Sequence, residues 1–179
     1  MTKPTLSEQD LREIAREAVF LVEVSRHDIA FKVDTGRDAL IGAFDGRLMG
    51  QAIGNLVKNA TEAIDGRTEA GDSEPGKVLV RASRLDGTIV IEVIDNGKGF
   101  PETDRQRLLE PYMTTREKGT GLGLAIVRKI VEDHGGHLDL ADAPPDSGYG
   151  HGAMVRVTFP PGSLANPQPD TEPEPAKVS

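Results

Sequence analysis

The amino-acid sequence predicts an α+β domain arranged as a two-layer α/β sandwich. Three observations lead there. Apolar residues recur at helical spacing around residues 11–22, 47–64 and 121–134. Short runs rich in β-branched residues, bounded by turn residues, are interspersed with them. The chain has 179 residues, which suits one domain with a modest core. Helices and strands mixed in one such domain pack as layers.

Each element has a local reason. Ser7 is a candidate helix cap with Asp10 three residues on. Leu11, Ile14, Ala15, Ala18, Val19 and Val22 follow at helical spacing. Residues 29–33 and 39–44 read as short strands. Asp45 can cap a helix over roughly residues 47–64, whose buried side would be Leu48, Leu56, Ala60, Ala63 and Ile64. Residues 66–77 are rich in Gly, Pro and charge and are expected to form a mobile loop. Strands at 78–84 and 88–94 meet at the turn Leu85-Asp86-Gly87. Residues 97–120 lack clear periodicity. A helix over 121–134 is stopped by Gly135-Gly136, and residues 137–141 and 153–159 are the last strands. The expected organisation is an N-terminal helix in 1–26, a domain over 27–160, and a Pro-rich, acidic, disordered tail over 161–179.

Composition removes several classes of function. The net charge of −8 disfavours nucleic acid as a partner. Cysteine is absent, which excludes disulfides, thiolate metal sites and a Cys nucleophile. No apolar run reaches the length of a membrane span or signal sequence. The chain is therefore expected to be cytoplasmic and to make no membrane contact itself. Aromatic residues are only 4%, so aliphatic side chains must supply the core.

Three stretches carry chemistry. In Asn55-Leu56-Val57-Lys58-Asn59-Ala60, the two asparagines lie four apart and share a helix face. A carboxamide oxygen is a hard ligand suited to Mg²⁺, although the pair read alone fits solvated or capping positions better. Lys58 can reach a phosphate or simply meet water. In Asp95-Asn96-Gly97-Lys98-Gly99, an ionised carboxylate only accepts hydrogen bonds. The adenine 6-amino group donates whereas the guanine 6-oxygen accepts, so Asp95 can select adenine. Gly97 and Gly99 would leave room for the base, or serve a plain turn. Gly119-Thr120-Gly121-Leu122-Gly123-Leu124 runs into an apolar helix. Backbone N–H groups at such a start bind phosphate oxygens, and glycine lets them approach closely. The stretch is neither a P-loop nor Gly-x-Gly-x-x-Gly.

In this order the stretches resemble the N, G1 and G2 boxes of sensor histidine kinases, members of the GHKL or Bergerat-fold superfamily. Glu110-Pro111-Tyr112-Met113-Thr114-Thr115 is similar to their F box. The details resemble the nitrogen-regulation branch most closely, over roughly residues 5–160. The resemblance implies a mixed sheet of about five strands, covered on one face by three helices, with ATP between. It implies that Asn59 holds Mg²⁺, that Asn55 lies near the phosphates, and that Asp95 reads adenine. Residues 100–118 then read as a lid that Tyr112 docks, with Thr114, Thr115, Arg116 and Lys118 available to phosphates or to solvent. Residues 1–26 could instead be linker left from an acceptor hairpin.

Absences narrow the reaction. Gyrase-like and chaperone-like relatives of this fold carry a water-activating glutamate where Asn55 stands, and a neutral amide is no general base. Phosphoryl transfer to a protein group fits better than hydrolysis. The family's acceptor is a histidine on a separate dimerisation hairpin, with a response regulator further on. His27-Asp28-Ile29 imitates the acceptor box but leads into a strand. His134, His137 and His151 have no acidic or thiolate partner at a usual zinc spacing and read as turn histidines. The resemblance therefore implies the ATP-binding catalytic domain of a histidine kinase without its acceptor. An anti-sigma-factor-type serine kinase and a nucleotide-dependent binding module are the alternatives.

Overall fold

The computed structural model describes residues 3–111 and 123–168. In chain order the elements are β1 (Ser7–Asp10), α1 (Leu11–Glu23), β2 (Ile29–Asp34), β3 (Ile41–Phe44), α2 (Gly46–Glu69), β4 (Gly76–Leu85), β5 (Thr88–Asp95), α3 (Gly123–Asp133), β6 (His137–Asp142) and β7 (Ala153–Phe159). Two short 3-10 turns, Arg105–Leu109 and Pro145–Ser147, complete the described chain.

The main sheet has five strands in the order β2-β4-β5-β7-β6. Only β2 and β4 run parallel; the other neighbours are antiparallel. The parallel pair needs a long crossover, and that crossover contains α2. Side chains alternate across the sheet. Ile89, Ile91 and Val93 of β5 therefore face the helices, in one core with Leu11, Ala15 and Val19 of α1, Leu56 and Val57 of α2, and Val127 and Ile130 of α3. Ile94 belongs to a small second cluster with Leu79 and Met154. The α+β sandwich with its five-stranded mixed sheet and three helices is as expected.

Four boundaries differ from the sequence reading, each for a tertiary reason. Asp10, not Ser7, caps α1: Ser7–Asp10 pairs antiparallel with β3 and is extended, and Asp10 accepts from the Arg12 N–H. Among the described residues β3 pairs with β1 alone, and the two form a separate two-stranded sheet. Helix α2 runs on to Glu69, because Arg67 is buried and anchors the next loop through the Glu74 carbonyl and Asp72. Residues 161–168 fold back rather than trail off. The Ala165 N–H donates to the His134 carbonyl, and the Ala165 carbonyl accepts from Ala43. The tail beyond, 169–179, lies outside the described residues.

Two turns follow their sequence signals closely. Asp86 and Gly87 both take positive φ, 49° and 77°, so β4 and β5 close through a two-residue Asp-Gly turn. Helix α3 ends with Gly135 at φ 79°, Gly136 bonded back to Val131 and Gly135 to Glu132, a Schellman closure.

Candidate functional site

Asp45 caps α2, accepting from the Leu48 N–H at 3.2 Å. One face of α2 is buried through Met49, Ile53, Leu56, Ala60 and Ile64. The helix thus presents Asn55 and Asn59 half-buried at the border of the core, with Lys58 exposed between them. Among the described residues, no hydrogen bond engages either carboxamide. A Cβ added to Gly123 would lie 3.3 Å from Asn59 Oδ1. The start of α3 therefore rests directly on Asn59.

One turn further along α2, the loop after β5 presses on Ala63. The Lys98 N–H donates to the Ala63 carbonyl at 3.2 Å, and a Cβ at Gly97 would lie 2.6 Å from the Ala63 carbonyl carbon. Any larger residue at 97 must lift the loop. Gly99 sits at φ 77°, where L side chains are strained. Both glycines have backbone reasons to be there.

Asp95 ends β5, on the strand face that carries Val93 and so on the helix side of the sheet. It is only 6% exposed. Its Oδ1 accepts from the Gly97 N–H at 2.8 Å, and the Ala153 backbone also bonds to it. Burial pushes its carboxyl up to about 7, against these bonds and the charges of His151 and Arg67, which pull it down. When ionised, this carboxylate only accepts hydrogen bonds, from the backbone or from a ligand donor.

Around the loop lies a set of residues that the sequence reading missed. Buried Asn96 accepts from the Lys77 N–H and donates to the Pro75 carbonyl, tying residues 75–77 to the loop. His151 sits beside the Gly97 carbonyl at 3.2 Å and beside Glu74 at 2.8 Å. Asp72, Glu74 and His151 come close enough to hold a cation, but Arg67 already pairs with both acids there. These residues are far apart in sequence, and no local pattern signals their meeting.

His134 is a correction in part. It stands in the turn that ends α3, as expected, but it is fully buried there, between Phe44 and Phe159, and not an ordinary surface turn residue. Its Nε2 accepts from the Asp45 N–H at 3.0 Å, so Nδ1 carries the proton and donates to the Ile130 carbonyl. This neutral imidazole locks the C-terminus of α3 to the cap of α2. His137 stands at the start of β6, and His27 in the turn before β2.

The beginning of the expected lid is packed. Phe100 rests on the main core, Leu109 is buried, and Arg105 pairs with Asp142 of β6. Tyr112, Thr114, Thr115, Arg116, Lys118, Gly119, Thr120, Gly121 and Leu122 lie outside the described residues. Leu124 is half-buried at the first turn of α3, packed against the core.

Two asparagines, a buried acid and a glycine-bounded helix start thus line one edge of the sandwich. Residues 44–163 match the family model described as histidine kinase-, DNA gyrase B- and HSP90-like ATPase. The chain belongs to this family. Within this ATPase family the similarity is to histidine kinases. The nitrogen regulation protein NtrY of Azorhizobium caulinodans is 47% identical over 159 residues, covering 89% of this chain and 20% of NtrY. An NtrY-like sensor histidine kinase of Rickettsia felis is 35% identical over 156 residues, covering 87% of this chain and 24% of its own. The chain thus spans about a fifth to a quarter of the length of these curated relatives. Among solved structures, the catalytic domain of histidine kinase ThkA superposes with a TM-score of 0.73 at 30% identity, covering 87% of this chain and 95% of that one. The mycobacterial sensor histidine kinase MprB gives 0.73 at 28%, covering 90% and 99%. This is a catalytic ATPase domain of the sensor histidine kinase type.

Proposed function

We propose that the chain binds Mg-ATP between α2, α3 and the end of β5, and transfers the γ-phosphoryl group to a histidine on a separate dimerisation hairpin of the same kinase. A response regulator would receive the phosphoryl group in turn. Similarity to NtrY supports a parent among nitrogen-regulation sensors. Among the described residues no helix is long and apolar enough to cross a membrane, and work on the cytoplasmic side, where ATP is, fits. The observation that carries the proposal is the seating of the α3 start on the carboxamide of Asn59, which has no hydrogen bond among the described residues, one helix turn from the loop that follows Asp95.

The residues divide the labour along α2. Asp95 accepts from the adenine 6-amino group, and Gly97 and Gly99 keep the loop low enough for the base to enter. Asn59 offers a carboxamide oxygen, which fits Mg²⁺ better than a softer metal. The ion would neutralise phosphate charge as transfer proceeds. Backbone N–H groups of 119–123 are the phosphate donors in this reading. Lys58, exposed on the same helix, supplies a mobile positive charge to the phosphates. Asn55 positions without accepting a proton, so water goes unactivated and a docked imidazole is the nucleophile.

Incubating the chain with γ-labelled Mg-ATP and a dimeric acceptor hairpin tests this. Label should appear on the hairpin histidine, and Asn59→Ala should lose it with magnesium-dependent binding. Wild-type transfer by the Asn59 variant would remove the metal role. Failure of the intact chain to bind ATP would remove the proposal.

A further inference from the structure

His151 lies outside every motif in the sequence, yet it is bonded to the loop that carries Asp95. Its Nδ1 is 3.2 Å from the Gly97 carbonyl and its Nε2 is 2.8 Å from Glu74 Oε2. A carbonyl oxygen and an ionised carboxylate are both acceptors only. A neutral imidazole has one N–H and can serve one of them; the imidazolium serves both. The geometry therefore suits the charged ring.

We infer that His151 is a positioning residue of the nucleotide site: as an imidazolium it clamps the Gly97 carbonyl to Glu74, and nucleotide affinity falls as that proton is lost. This rests on the proposed ATP site. The clamp acts on the loop whose seat on Ala63 is already tight, so a shift at Gly97 moves the base pocket. It also acts through charge. The imidazolium favours the ionised form of Asp95, the form that accepts from adenine.

The charged surroundings are specific. From the 70–75 loop, Asp72 and Glu74 face the ring. From α2, Arg67 pairs with both acids and opposes the ring's charge. From β5 comes Asp95, and from the ring's own loop Tyr149, whose hydroxyl is held neutral by burial and by Asp95. The side chain of Lys98, on the clamped loop, lies against Gly66 of α2. Two titrations thus act in opposite senses. Raising the pH ionises Asp95, which aids binding, and discharges His151, which weakens it. Affinity should pass through a maximum.

Calorimetric affinities for Mg-ADP between pH 5.5 and 8.5, on the whole chain, test this. The nucleotide's own titration is common to every variant. Wild type should lose roughly tenfold on the alkaline side, the worth of one charge-assisted hydrogen bond. His151→Gln and Glu74→Gln should bind more weakly at the optimum and lose that alkaline fall. In the nucleotide-free protein, the Gly97 and Lys98 amide resonances should titrate together with the His151 ring, which needs no variant to fold. Alkaline limbs that run parallel in wild type and both variants, or amides that ignore the ring, overturn the inference alone. No binding at any pH overturns the nucleotide site and this inference with it.

Discussion

At the residue scale, Asp95 carries the sharpest consequences. Ionised above about pH 7, it only accepts and should favour ATP over GTP; there Asp95→Asn should weaken ATP by roughly ten- to hundredfold without unfolding the domain. Equal calorimetric affinities for ATP and GTP would contradict the assignment. Its titration also marks the free protein. The carboxyl is raised to about 7 by burial, above an ordinary unfolded value of about 4. Between those values the folded state holds the proton and the unfolded state does not. Stability from this group is therefore complete below about pH 4 and declines as the pH climbs to about 7. Thermal melts of Asp95→Asn should show a shallower loss of stability from pH 5 to 8 than wild type; identical slopes would mean the carboxyl is not raised.

At the element scale, α2 is both core and scaffold. Two glycines near it separate these roles. Gly50 lies within the helix with nothing inside 4 Å of an added Cβ, so Gly50→Ala should stabilise the domain by about 0.5–1 kcal/mol. Gly97→Ala meets the Ala63 backbone at 2.6–2.8 Å and cannot relax by turning a side chain. It should cost about 1–3 kcal/mol and also lower nucleotide affinity, because the loop that rises carries the proposed base pocket. Urea titrations and nucleotide binding on the two variants check the contrast. A Gly97→Ala protein with native affinity would show that the close seat of the loop is irrelevant to the site. The N-terminal end of the same helix is fixed to the end of α3, because the Asp45 N–H donates to His134 Nε2.

At the scale of the whole molecule, no histidine is placed to be its own acceptor. His134 is buried, His137 lies at a strand start, and His151 is engaged with Glu74. His27 precedes β2 on the far edge of the sheet from β6. Positioning carries most of the rate in phosphoryl transfer. Incubated alone with γ-labelled ATP, the chain should stay essentially unlabelled and release phosphate very slowly. Stoichiometric labelling of any of its own histidines would show that it is self-sufficient.

The sequence by itself determined the fold class and the order of most elements, because these rest on local periodicity, caps and turn chemistry. Asp45, Asp86-Gly87 and Gly135-Gly136 act through neighbours a few residues away, and they read correctly. Ser7 did not, because its extended form comes from pairing with Phe44, a partner far along the chain. The tertiary structure alone decided that α2 continues to Glu69, that Ala165 returns to the core, and that His134 and His151 are bonded rather than idle. Each of these depends on a contact between segments tens of residues apart. Such contacts follow from how burial and backbone hydrogen bonds are satisfied across the whole fold, and no local pattern encodes them.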